Sequence, residues 1–195
     1  MASFFASEAR SYRGSDNCRG ALIGRLANGM AVRQYDETLD MTPQQQAFVE
    51  RFLATLDKPE RRRASAIQVD FFCDNQTDTD ECARLVDQGI KRASCDLMAA
   101  YEIEGRDKPA PGAFTLVVDW AQNPVCVIVT TQVEVAPFDQ VSAEFAYREG
   151  EGDRSLAQWR ETHRRYFERA ASQLGISFSP QDLLLLEQFE KVYPR

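Results

Sequence analysis

The stretch "AFTLVVDWAQNPVCVIVTTQVEV", residues 113–135, decides the fold class. Two runs rich in branched and aromatic residues, 113–120 and 125–135, flank the polar "AQNP". Valine, isoleucine, threonine and phenylalanine fit a pleated surface, and so short a polar break is a hairpin connection. Pro109, Pro111 and Gly112 mark a tight approach to the first strand.

Helical patterns surround this hairpin. Thr42-Pro43 reads as an N-cap followed by proline at the first helical position, and Phe48, Phe52, Leu53 and Leu56 recur at helical spacing over 43–56. The charged "DKPERRRAS" follows as a connector, with Arg61, Arg62 and Arg63 on a solvated face. After the briefly alternating "AIQVDFFCDNQTD", Asp78 and Glu81 form a capping-box pattern before a helix lined by Cys82, Leu85 and Val86. Gly89 suits the left-handed position that ends such a helix, so Lys91 stands where the chain turns into a strand. Beyond the hairpin, 138–149 is a weak helix around Val141, Phe145 and Ala146. Ser155 with Gln158 caps a stronger one, striped by Leu156, Trp159, His163, Tyr166 or Phe167, Ala170 and Leu174 and stopped by Gly175. Residues 181–188 are helix or strand; a short apolar run does not separate the two. Helices around a hairpin, with no repeating strand–helix unit, make the chain α+β. Neither a dinucleotide fingerprint nor a Walker loop occurs.

The 195 residues suffice for one domain with a core, 43–195, preceded by an arm, 1–42. Within the arm, "CRGALIGRLANGMAV" reads as a short hairpin turning at Asn28-Gly29. The net charge is -7, yet residues 1–33 hold five arginines against two acids. So acidic a chain repels a long duplex, and any nucleic-acid contact is local. Five cysteines without a C-x-x-C point to a reducing compartment, the cytoplasm, rather than a disulfide scaffold. No apolar run is long enough to span a membrane. One histidine and no paired cysteines argue against a metal centre, and no cofactor is implied. Function is therefore expected to survive a strong chelator.

"GIKRASC" at 89–95, the segment 117–167 containing "EGEGDRSLAQWR", and "FEKVY" at 189–193 resemble the ASCH domain, a small β-barrel related to PUA domains. The likeness spans 43–195 with a core at 71–195, and is nearest to the longer bacterial branch that carries the E-G-E-G-D-x-S-L-x-x-W-R segment. It implies a barrel with flanking helices and a cleft at the helix-to-strand junction. ASCH domains as a class are thought to bind RNA or nucleotides. One short branch deacetylates an acetylated cytidine nucleoside, and its lysine, hydroxyl and glutamate correspond to Lys91, Ser94 and Glu149. That branch has threonine where this chain has Ser94.

These readings define the expected site. Lys91 serves as base, activator or phosphate contact, and Ser94 as a hydroxyl that meets it only if the chain bends, since strand alternation opposes them. Glu149 is the base or orienter. Glu151 lies near enough to share the cleft, and Gly150 and Gly152 shape the loop that carries both. Asp153 caps the helix that begins after Ser155. Trp159 is core, with His163 packed at its edge. Arg160 and Arg164, a stripe at i and i+4, supply positive charge, and Tyr101 and Trp120 offer rings for stacking a base. The expected partner is single-stranded RNA or a nucleotide-like small molecule, bound weakly, with a shallow salt dependence of about one to three phosphates. A nucleoside amidohydrolase, a metal-independent ribonuclease and a non-catalytic interaction domain are the alternatives.

Overall fold

The computed structural model describes two short strands in the arm and residues 41–195. In the arm, β1 (Ile23–Arg25) pairs antiparallel with β2 (Ala31–Arg33), as the hairpin reading requires. The Asn28-Gly29 turn and the rest of residues 1–40 lie outside the described residues.

The domain proper runs α1 (Pro43–Ala54), α2 (Lys58–Arg63), β3 (Gln68–Asp70), α3 (Gln76–Asp87), β4 (Ala93–Leu97), α4 (Met98–Glu104), β5 (Phe114–Val118), β6 (Pro124–Pro137), α5 (Ala143–Glu149), α6 (Leu156–Gln173) and β7 (Leu183–Tyr193). Five strands form one curled sheet in the order β3-β5-β6-β7-β4. Only the β3–β5 pair is parallel. The expected 113–135 hairpin is β5 and β6, closed by Asp119, whose carboxylate accepts from the Asn123 backbone N–H at 2.8 Å. The curl has a local cause. The β6–β7 register shifts between Val127 and Ile128 and again between Thr130 and Gln132, and an extra residue on one strand bends and twists the ladder.

Alternation along the strands divides the core. Phe114, Leu116, Val118 and Val127 face Val49 and Phe52 of α1. Val117, Cys126, Ile128 and Phe189 face Ala83 and Val86 of α3. Ala93, Leu97, Leu184 and Leu186 pack beneath Phe138, Phe145, Trp159 and Phe167 of the α5–α6 region. Helices therefore flank a half-barrel, an α+β fold.

Several local readings need correction. Residues 181–188 belong mostly to β7. Leu184, Leu185 and Leu186 are all buried, so the run lacks the alternation that marks a half-exposed strand. α3 begins earlier than the Asp78–Glu81 pattern implies: Asn75 is the N-cap and its side chain accepts from the Asp78 N–H. The connector after Asp57 contains α2, because Asp57 caps it and Pro59 is compatible with its first turn. α1 keeps its expected start, with a complete capping box between Thr42 and Gln45.

Candidate functional site

The junction singled out in the sequence becomes one wall of a cavity of about 440 Å³. Gly89 takes φ +68° just beyond α3, and the N–H groups of Ile90 and Lys91 both donate to the Leu85 carbonyl. Lys91 is thus held by the helix end, ahead of the strand alternation that begins in β4. That explains why Lys91 and Ser94 line the same cavity despite being three residues apart. The opposite wall comes from the α5–α6 connection. Gly150 has φ +76°, and a Cβ there would lie 2.7 Å from the Ile90 carbonyl oxygen. Only glycine permits so close an approach with this backbone, and the approach brings Glu149 against Lys91.

Lys91 and Glu149 are 2% and 1% exposed. The Lys91 ammonium donates to Glu151 Oε1 at 2.6 Å and lies 4.0 Å from Glu149 Oε2. Burial alone would lower its pKa, but the Glu151 and Glu149 charges outweigh that and hold it well above the ordinary lysine value. The two carboxylates thus hold Lys91 as an ammonium in this arrangement. Glu149 Oε2 accepts from Trp159 Nε1 at 3.0 Å and lies 2.9 Å from His163 Nε2. Burial pushes the Glu149 carboxyl up, but His163 and Lys91 pull it down to about 2. Burial likewise opposes the His163 charge, and Glu149 raises its pKa regardless. His163 Nδ1 faces the Trp159 carbonyl oxygen at 3.0 Å, so both ring nitrogens face acceptors and the imidazolium satisfies both. Its ring stacks on Trp159 with centroids 4.2 Å apart.

One atom of this network has no partner. Glu149 Oε1 is buried and accepts no hydrogen bond of good geometry. The Cys95 thiol acts on the Glu149 carboxylate through charge and a weak S–H interaction that falls short of a full hydrogen bond, and burial followed by that carboxylate holds the thiol protonated. The rest of the cavity is mixed. Phe71, Phe72, Tyr101 and Tyr166 contribute rings, and the Arg106 guanidinium lies 4.3 Å from the Tyr101 ring centroid. Arg106 also donates to Asp96 at 2.8 Å. Glu187 accepts from Thr130 at 2.6 Å, and burial raises its pKa. Eight carboxylates line the space against one lysine, three arginines and His163.

The remaining candidates divide. Tyr101, Glu149, Glu151, Gly152 and His163 line the cavity with Lys91 and Ser94. Asp153 braces the loop, its carboxylate accepting from the Ser155 N–H at 2.7 Å. Ser155 in turn caps α6 through the Gln158 N–H. Trp159 is core, as its stripe implies. Arg160 and Arg164 do not reach the cavity. Arg160 donates to the Asp139 carbonyl and Arg164 lies over Phe138, on the far flank of the Trp159–His163 stripe. Arg165 and Arg169 occupy the flank that faces the cavity, where both are exposed. They are also i and i+4, so the sequence offers two equivalent arginine stripes and no local signal separating them. Trp120 is likewise outside the cavity lining. It meets Phe71 edge-on, and the turn after β5 directs it there.

A further grouping was not legible in the sequence. The sulfur of Cys95, an oxygen of Glu149 and a ring nitrogen of His163 lie within 4.8 Å of one another, a donor set zinc can take. As it stands, protons and the Lys91 charge already balance the set, and a dication there would face that ammonium across Glu149.

The curled sheet carries a lysine–carboxylate cavity at a helix-to-strand junction. The ASCH domain family model matches residues 68–193, and the chain belongs to that family. The ASCH domain of Lactobacillus crispatus JV V101 is similar in structure, with 38% identity, a TM-score of 0.76, and coverage of 80% of this chain and 99% of that one. A protein of Enterococcus faecalis V583 is 28% identical, with a TM-score of 0.67, and is matched over 76% of this chain and 88% of that one. No curated protein sequence matches the chain. Among the described residues, no helix is long and apolar enough to cross a membrane.

Proposed function

We propose that the cavity holds one uncharged nucleoside unit, either free or as an unpaired residue of single-stranded RNA. The carrying observation is Glu149 Oε1, a buried carboxylate oxygen without a partner on the wall of a ligand-sized cavity. An unsatisfied buried acceptor is costly, and a ligand N–H or O–H removes the cost. Nucleobase amino and imino groups and ribose hydroxyls are such donors. The aromatic walls suit a base face. The carboxylate excess disfavours phosphate inside the cavity, whereas Arg165 and Arg169 stand at the mouth, where an RNA backbone would pass. ASCH domains are generally thought to bind RNA, and this reading places one residue of such a strand in the cavity.

A hydrolytic reading is favoured by one specific observation, the meeting of Lys91, Ser94 and Glu149 on a single cavity. In that reading the substrate is an amide-bearing modified nucleoside. The Lys91 ammonium stabilises developing negative charge on the carbonyl oxygen, and Glu149 orients the attacking group.

The test is a panel of nucleosides, N-acylated nucleosides, their 5′-monophosphates, short single-stranded RNAs and duplexes, scored for calorimetric affinity and for turnover. Nucleosides are expected to bind, and free monophosphates to bind about tenfold more weakly, equivalent to about 1.4 kcal/mol of repulsion. Monophosphates binding more tightly than their nucleosides would overturn the reading. Turnover of an acylated nucleoside that is lost in Lys91→Ala and Glu149→Gln establishes the hydrolytic form; binding without turnover leaves the binding form.

A further inference from the structure

Two sulfur atoms of the cavity wall take no part in that reading. Cys73 follows β3 with φ +68°, a conformation uncommon outside glycine, and Cys82 lies within α3. Their Sγ atoms are 3.6 Å apart. Both line the cavity, Cys73 half-buried and Cys82 buried, so a small solute in the cavity reaches Cys73 first. Cys82 is also 3.5 Å from Glu151 Oε1, the atom that receives the Lys91 hydrogen bond. The other described cysteines are placed differently: Cys95 stands beside Glu149, and Cys126 is in the core under α3.

We infer that Cys73 and Cys82 form an oxidisable thiol pair, which a small hydroperoxide converts into an intramolecular disulfide in the cavity wall. Bond formation closes this 3.6 Å contact to about 2.05 Å. The roles follow from exposure. The Cys73 thiol releases its proton as its sulfur attacks one peroxide oxygen: an S–O bond forms, the O–O bond breaks, and the departing alkoxide, or hydroxide from hydrogen peroxide, takes that proton and leaves as alcohol or water. Sulfur has then given two electrons to the peroxide. The Cys82 sulfur next attacks Cys73: an S–S bond forms, the S–O bond breaks, and the leaving hydroxide takes a proton to become water. That proton is the one from Cys82, relayed through Glu151, whose carboxylate already accepts from it. In sum, two thiols and one hydroperoxide give one disulfide, one alcohol and one water. The contact with Cys73, and then burial, hold Cys82 as a thiol until then, which makes it the resolving partner rather than the first nucleophile.

The bond ties the end of β3 to α3 and withdraws the Cys82 S–H from Glu151, altering the counter-charge of Lys91. Oxidation is therefore expected to change ligand affinity, but the disulfide itself does not depend on the ligand assignment.

The experiment uses the full reduced chain, dilute and without denaturant, treated with stoichiometric hydrogen peroxide and mapped by mass spectrometry of non-reduced peptides. The expected product is a Cys73 peptide joined to a Cys82 peptide within one chain. Cys82→Ala should halt oxidation at a Cys73 sulfenic acid, trapped by a carbon nucleophile such as dimedone, and Cys73→Ala should leave Cys82 reduced. The wild-type map stands by itself should either variant fail to fold. Three results would overturn the inference: both thiols still free once the peroxide is consumed, Cys73 oxidised to sulfinic acid beside a free Cys82, or a disulfide from either residue to another cysteine.

Discussion

The α1 face of the sheet and the cavity behind α3 are two interiors of one small domain built on opposite logic. Under α1, Phe52, Phe114, Leu116, Val118 and Val127 meet without a polar atom among their side chains. In the cavity, Lys91 pairs with Glu151 at 2.6 Å and lies 4.0 Å from Glu149, which His163 meets at 2.9 Å, and Lys91 and Glu149 are almost wholly buried. The first interior stabilises by removing apolar surface from water, at about 25 cal/mol per Å². The second loses the hydration of its charges and recovers it only through mutual pairing, so it contributes little net stability while being sensitive to the loss of any member.

Substitution separates the two interiors most sharply. Leu116→Ala should cost about 2–5 kcal/mol in urea unfolding, by transfer loss plus cavity formation. Glu149→Ala should cost a comparable 3–5 kcal/mol, for a different reason: it strands the His163 charge and leaves Lys91 with one counter-ion. The pH profile tells them apart. The Glu149 carboxyl sits near 2 in the folded state against an ordinary 4.5, so its contribution is complete above about 4.5 and disappears as pH falls toward 2. His163 is raised above its ordinary 6.5, so its contribution is complete below 6.5 and disappears as pH rises through its folded-state value. Wild type and Leu116→Ala should share this dome, and Glu149→Gln should flatten it. A Glu149→Gln profile parallel to wild type would contradict the assigned pairing.

A smaller effect sharpens the comparison at the cavity mouth. If RNA phosphates pass Arg165 and Arg169, replacing both by alanine should weaken binding of a short single strand about tenfold and lower the salt slope by about one to two. The same change at Arg160 and Arg164 should leave both unchanged. Filter binding across a salt series reads the difference, and equal losses from the two pairs would remove the α6 flank assignment.

The apolar interior was the legible one. Helical spacing of Phe48, Phe52 and Leu53, the branched runs on either side of Asn123-Pro124, and the Ser155–Gln158 cap all carry local signals that packing then respects. β7 escaped because both its faces are covered, and α2 because its arginines lie on an exposed turn with no apolar stripe. Of the site, Lys91, Ser94 and Glu149 came from the family resemblance, and the chain fold brings them together through Gly89 and Gly150. Cys73, Cys82, Cys95, Arg106 and Glu187 could not be found this way. They arrive at the cavity from different elements, with no shared motif, and only the three-dimensional register of β4 against β7 and of α3 against β6 assembles them. The choice between the two arginine stripes of α6 is of the same kind, since it depends on which flank the α5–α6 connection turns inward.

The central claim is that Glu149 Oε1 is kept unpaired for a ligand. A crystal structure with the tightest-binding nucleoside of the panel tests it directly. The account predicts a ligand N–H or O–H donating to Glu149 Oε1 at about 2.7–3.2 Å, with the His163 and Trp159 contacts to Oε2 retained. A nucleoside bound elsewhere, or seated in the cavity with Oε1 still unpartnered, would contradict it.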